Sequence, residues 1–335
     1  MKKIITSIIC IFSFFINVTA QSLDADKLFR PRLFISSEYE TSGDFKTIPA
    51  GFGFSNLSDG YSIPFLKKLK RTERNEINAS IFSVKGNFVA GFPRTEIFFT
   101  NHTLINAAIG LNWTQIYHTK NIFSFRANAL AAEDNKTIPF LQPRWNGNLF
   151  YSRLTSHHYS YTLGIAYTYL YGRGIILPVI GASIKTGEKS RVTVLLPFNI
   201  QYLHKLNSKI SYKIFIKTQG SVNRFENEDS IHAFNPVLLL KQREGQLGFT
   251  FLHHPTSAFA YNISTGITFH RTMALSNNDS DFKTAVYNLA VSPGVFVHAG
   301  IVWTIPQKAK NKSSLTIDEL DEMLDADPDS AGYLY

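Results

Sequence analysis

The sequence predicts an all-β chain: a transmembrane, antiparallel, up-and-down β-barrel of about 12–14 strands with a short polar C-terminal tail. Three observations predict it. The first is a strict period of two. From Tyr159 to Tyr171 the odd positions are Tyr159, Tyr161, Leu163, Ile165, Tyr167, Tyr169 and Tyr171, while the even ones are mostly small or polar (Ser160, Thr162, Gly164, Ala166, Thr168). A strand sends alternate side chains to opposite faces, so one face is apolar and aromatic and the other is not. The second is length. Ten rises of about 3.3 Å separate Tyr159 from Tyr169, and with a tilt near 40° they project to roughly 25 Å, the height of a barrel's apolar band. The third is that the longest apolar run stands at the start of the chain, leaving no later segment that reads as a membrane helix.

That first run is read as a leader. Lys2 and Lys3 precede an apolar stretch from Ile4 to Val18, and Val18-Thr19-Ala20 supplies small residues for cleavage before Gln21. Residues 1–20 are therefore expected to be a signal peptide, 21–304 the barrel and 305–335 an acidic tail with a short helix. The single cysteine, Cys10, lies in the leader, so no disulfide is expected after cleavage. The chain of 335 residues carries a formal charge of +9. The tail sets three lysines against seven acids, so the body is more basic than the whole. Export argues against nucleic acid as the reason.

Taken in order, the alternating segments place strands at 32–41, 57–66, 77–92, 104–117, 121–132, 145–153, 157–171, 175–186, 190–203, 208–219, 232–241, 245–253, 257–270 and 294–304. Thr186-Gly187-Glu188-Lys189, His204-Lys205-Leu206-Asn207 and His254-Pro255-Thr256-Ser257 read as tight turns. Longer polar stretches at 42–56, 93–103, 133–144, 220–231 and 271–290 read as loops. Short and long connections alternate, as they do in outer-membrane barrels, except around 204–231.

The run Ile176-Leu177-Pro178-Val179-Ile180-Gly181, followed by Arg191-Val192-Thr193-Val194-Leu195-Leu196-Pro197-Phe198 and Tyr202, resembles a hairpin of a Gram-negative outer-membrane β-barrel family built on a domain of unknown function. Ser36-Ser37-Glu38-Tyr39-Glu40 with Asp44-Phe45 is similar to its first strand. The resemblance implies a barrel in the bacterial outer membrane and carries no functional residues. Pro178 and Pro197 stand inside expected strands, where proline is unusual because it cannot donate to the ladder.

Candidate chemistry lies on the quiet face. With Ile210, Tyr212, Ile214 and Ile216 toward lipid, Lys209, Lys213 and Lys217 point inward, and Lys85, Arg126, Lys185 and Arg191 share that phase. Glu38 and Glu40 add acids. This predicts a basic lumen that favours anions, or charges placed on the one face that lipid does not forbid. The basic run Lys67–Arg71 with Arg74 is read as a connection able to meet lipid phosphates. The tail, with Ile317, Leu320 and Leu324 on one helical stripe, could plug the lumen, bind a partner or stay loosely ordered. Asp325-Ala326-Asp327-Pro328-Asp329 starts like a calcium loop but lacks its glycine and its twelfth ligand. The histidine pairs at 157–158 and 253–254 place neighbours on opposite faces and make no chelate. No metal, cofactor or catalytic motif is assigned. The expected function is a narrow pore with a basic lumen or a structural envelope protein, not an enzyme. The alternatives are an outer-membrane barrel enzyme acting on lipid or peptide, and a secreted soluble β ligand-binding protein. Expected partners are outer-membrane lipids, barrel-assembly machinery and small anionic solutes. The pattern does not set the oligomeric state.

Overall fold

In a computed structural model of the chain, the described residues are 30–46, 50–72, 76–95, 102–138, 142–156, 158–169, 174–226, 237–256, 258–277 and 287–305. The expected leader at 1–20, most of the tail, Arg74 and the 325–329 segment lie outside them. The strands are β1 (Arg32–Asp44), β2 (Gly51–Arg71), β3 (Ile77–Thr95), β4 (Leu104–Tyr117), β5 (Asn121–Asp134), β6 (Arg144–Ser156), β7 (Tyr159–Thr168) and β8 (Ile175–Gly187). They continue with β9 (Ser190–Leu196), β10 (Asn199–Lys205), β11 (Ile210–Glu226), β12 (Val237–Thr256), β13 (Phe259–Ser276), β14 (Tyr287–Val291) and β15 (Gly294–Thr304).

From β1 to β14 each strand pairs antiparallel with the next, and β15 closes the sheet by pairing with both β13 and β1. The result is a closed barrel of 14 strands, with β14 as an extra strand on β13. Closure removes the open edges that a lipid-embedded sheet cannot tolerate. Arg32 pairs with Thr304, so the first and last strands enter and leave at one rim, called here the turn end because the short connections lie there. The opposite rim is the loop end.

Two departures from the expected strands offset each other. The segment 190–203 is a hairpin, β9 and β10, turning at Pro197-Phe198 with the Leu196–Pro197 peptide cis. Conversely, the described residues of the expected strand at 232–241, from Val237 on, are continuous with 245–253 in one strand, β12. Together these keep the short turns flanking β9 and β10 at one rim, and the β9–β10 connection at the other rim is itself only two residues, Pro197-Phe198. Pro178 lies where β8 has β7 on one side but β9 reaches only Ile180 on the other, so a residue without N–H is tolerated there. The basic run at Lys67–Arg71 is the turn-end extension of β2, paired with Ile77–Ile81, rather than a connection; Lys68 and Lys70 are exposed on it.

The outer face carries an apolar belt. Ile35, Leu57, Ile109, Leu111, Leu149, Leu163, Ile165, Ile180, Ile214, Ile216, Ile263 and Val297 are all exposed on it. Near the turn end the outward rings touch in sequence, Tyr117 to Phe123, Phe123 to Tyr151 and Tyr151 to Tyr161, with centroids 6.1, 4.8 and 6.3 Å apart. This is the aromatic girdle of a membrane interface. Strands such as β2, β12 and β13 run 18 to 21 residues, well beyond the nine to eleven that about 25 Å of hydrocarbon requires. The surplus rises at the loop end into stretches expected to be loops. There it encloses an apolar cap: Phe45, Phe52, Leu104, Phe225, Leu238, Leu240, Met273, Leu275, Leu289 and Val291.

The cap coincides with a pinch. β10 stops at Asn199, which pairs with Lys217, so β11 above that level loses its neighbour. It bends inward and meets β5 in a parallel bridge at Arg224 and Glu133. Val222–Phe225 are all buried, as are Leu238–Lys241 on the paired β12. Four consecutive buried residues on each strand mean that both faces of this hairpin are covered.

Candidate functional site in the barrel lumen

Six of the seven expected lumen cations lie in the inward phase. Lys85, Arg126, Lys185, Arg191, Lys213 and Lys217 are partly exposed, and Arg126, Lys185, Lys213 and Lys217 each stand next to an exposed apolar residue, Phe125, Ile184, Ile214 or Ile216. Lys209 does not join them: it sits in the exposed turn before β11, where its carbonyl accepts the His254 N–H, so it belongs to the rim. The strand begins at Ile210, two residues later than expected, because the turn at Asn207 draws the Lys209 and Ile210 N–H groups onto its side chain.

Four of the six are spread around the wall. Lys185 and Arg191 face each other across β8 and β9 near the turn end, Arg126 adjoins Asn128, Asn146, Asn148 and Thr168, and Lys85 stands on β3. Lys213 and Lys217 are brought together. Their ammonium groups lie 5.3 and 5.6 Å from the centroid of the Phe215 ring between them. Neither makes a hydrogen bond or ion pair among the described residues. His298 lies within electrostatic reach of both and of Glu38, its partner across β1 and β15.

Toward the loop end the charges are paired and sealed. Arg271 Nε lies 3.2 Å from Glu40 and 3.7 Å from Glu244, with Arg271 and Glu40 almost wholly buried. Its terminal nitrogens also donate to the carbonyls of Ser292 and Phe52, at 3.2 and 3.4 Å. Gln246 donates to Glu244 at 3.0 Å and to Glu38 at 3.4 Å, and Gln219 donates to Glu244 as well. Sequence alternation missed Arg271 and Glu244 because bulges near Gly245 and His270 shift the phase. His270 adopts φ 49°, and the strand reads inward again from Arg271. A break in alternation at Phe269-His270-Arg271 was the available signal.

The pinch has its own polar staple. Arg224 pairs with Glu133 at 3.1 Å, Asn223 donates to Asn106 at 2.8 Å, and Arg144 reaches the Val222 carbonyl at 2.6 Å. Asp134 receives N–H groups from Lys136, Thr137 and Glu226 and contacts His102 at 2.7 Å. Burial acts to raise the Asp134 pKa, but the bonds from His102, Glu226 and Thr137 outweigh it and hold the carboxyl below the usual carboxylate range. An imidazole beside an acid is what a barrel enzyme would need, yet this pair is buried edge-on against Phe225 and committed to backbone groups. Among the described residues no cluster of three metal-ligating side chains occurs.

Residues 17–304 match a family described as Domain of unknown function (DUF6268). The chain belongs to the DUF6268 family. That agrees with the resemblance carried by the Ile176–Gly181 and Arg191–Phe198 stretches. No curated relative matches the chain. Among solved structures, an outer membrane channel from Pseudomonas putida F1 is similar at 8% identity, covering 87% of this chain and 100% of that one, with a TM-score of 0.41. The transport unit of the autotransporter AIDA-I from Escherichia coli is 11% identical, with 90% and 97% covered and a TM-score of 0.37. LpxR from Salmonella typhimurium is 9% identical, with 82% and 100% covered and a TM-score of 0.36. None of these likenesses carries an activity across to the DUF6268 barrel.

Proposed function

We propose that this chain is an integral outer-membrane barrel, exported by a cleaved leader, whose lumen admits small anions and whose loop end is a closed gate. The observation that carries this reading is the contrast along β11. Lys213 and Lys217 are reached by solvent from inside the barrel and have no carboxylate partner among the described residues, while Val222–Phe225 above them are buried in the pinch. A wall that concentrates unneutralised positive charge favours anions, and an apolar constriction stops conduction by excluding water. On this reading the belt and girdle meet outer-membrane lipids, and barrel-assembly machinery inserts the chain. No chemistry on a substrate is needed.

Planar bilayer recording of the purified protein tests it. The wild type is expected to be silent or nearly so. Phe225→Ser with Leu240→Ser, which wets the cap, is expected to open a steady conductance whose reversal potential in a salt gradient favours anions. Cation selectivity in that variant, or a wild type already fully conducting, would overturn the gated anion pathway. Heat-modifiable migration of both proteins confirms that each is a folded barrel.

A further inference from the structure

The Lys213–Phe215–Lys217 face is built in an unusual way. Four residues along a strand span about 13 Å between Cα atoms, yet both ammonium groups lean onto one ring. Two like charges drawn together in a partly desolvated wall repel unless a counter-charge joins them. The carboxylates nearby are otherwise engaged: Glu38 is met by Gln246 and faces His298, while Glu40 and Glu244 share Arg271. The ring itself is given space by the opposite strand. A Cβ at Gly248 would lie 2.7 Å from both Phe215 and Phe296, so glycine there lets the two rings lie against the wall, their centroids 6.2 Å apart. Polar neighbours flank the lysines in register: Asn199 and Gln246 beside Lys217, Thr250 beside Lys213, and Gln201 beside Phe215.

We infer that this face is a binding site for a small dicarboxylate, one charged end on Lys213, the other on Lys217, and the short apolar middle across Phe215. A two-ended anion meets both ammonium groups at once, whereas a monocarboxylate meets one, and a compact anion such as phosphate does not use the ring between them. Beside the two ends lie the buried Asn199, whose amide donates to Gln201 at 3.3 Å, and Thr250, whose hydroxyl meets Ser264 at 2.9 Å. With Ser264 as donor in that bond, the Thr250 O–H and the second amide hydrogen of Asn199 are left for carboxylate oxygens. The inference rests on the reading of the lumen as open to small anions, but it concerns equilibrium binding and needs no conduction.

Isothermal titration of the intact folded barrel in a zwitterionic detergent at low ionic strength, with succinate, acetate and inorganic phosphate as probes, tests it. Succinate is expected to bind at least about tenfold more tightly than acetate or phosphate, and Lys213→Met or Lys217→Met should each remove that advantage. Lys189→Met, in the exposed turn between β8 and β9, should leave it unchanged. Equal affinity for succinate and acetate, phosphate binding as tightly as succinate, an equal loss in Lys189→Met, or no binding at all would each overturn the site. Conductance separates this from the broader proposal. An opened barrel that is anion-selective but shows no succinate preference sinks the site alone. A barrel that binds succinate and cannot be opened sinks the pathway alone.

Discussion

Replacing Arg271 by methionine is the sharpest probe of how the loop end is held. The change keeps length and apolar volume but removes the guanidinium that lies 3.2 Å from Glu40 and 3.7 Å from Glu244 and donates to two backbone carbonyls. Two carboxylates would then remain in a nearly dry wall without a cation between them. Breaking a buried pair by removing one partner costs about 3–5 kcal/mol, chiefly because the other charge is left uncompensated. At about 1.4 kcal/mol per tenfold, the folded-to-unfolded ratio should fall between a hundred- and several-thousand-fold. Reversible urea unfolding in lipid vesicles, followed by tryptophan fluorescence, measures it. Glu40→Gln in the Arg271→Met background should recover a large part of the loss, since the remaining acid keeps Gln219 and Gln246 as donors. A cost below about 1 kcal/mol, or a double variant no better than the single, would show that the carboxylates are not held by Arg271 and that the phase shift at His270 has no energetic consequence.

Three further outcomes follow from the same geometry. Leu240→Ala, at a fully buried cap position, should lose about 2–5 kcal/mol in the same unfolding assay, whereas Leu163→Ala on the lipid face should lose clearly less. Ile165→Lys places a charge near the middle of the belt and should cost about 2–4 kcal/mol of barrel stability in vesicles; a change below about 1 kcal/mol would mean that this face does not meet lipid. Asp134 is held below the usual carboxylate range in the folded chain, so it adds stability above its unfolded value near pH 4 and withdraws it as pH falls further. Loop-end amide exchange should therefore quicken below about pH 4, and Asp134→Asn should flatten that dependence.

The barrel was legible because its signal is local and repeated. At Leu163, Ile165, Ile214, Ile216, Ile263 and Ile267, a two-residue period and a required span leave little freedom in which face meets lipid. The inward phase of Lys85, Arg126, Lys185, Arg191, Lys213 and Lys217 follows from the same rule. Where the reading failed, a single residue broke the period. Pro197 turns a chain that reads as one strand into two, His270 reverses the facing of all that follows, and Asn207 holds Lys209 in a turn. The pinch was illegible for a different reason. Glu133 and Arg224 lie 91 positions apart, and neither sits in a stretch whose polarity suggests strand. Their pairing depends on where an unrelated hairpin happens to stop.

That hairpin connects the most recognisable stretch of the sequence to the closed end of the lumen. β9 and β10 have seven residues each, the shortest pair in the barrel wall, because the chain reverses at Pro197. Phe198 caps the reversal from inside, packed with Phe150, Ala166, Val179 and Leu195. Thr218 still finds a partner in the Phe198 carbonyl, but beyond it the open edge of β11 has no strand to pair with. Buried backbone groups without partners are costly, and lipid offers none. Bending inward lets β11 meet Glu133 of β5, the Arg144 guanidinium and Thr137 instead, and the same bend carries Phe225 into the cap. The early turn at Pro197 therefore sets where β11 leaves the wall and enters the cap. A β9–β10 hairpin lengthened to the height of β8 would give β11 its missing neighbour and release the pinch without touching a single residue of the cap.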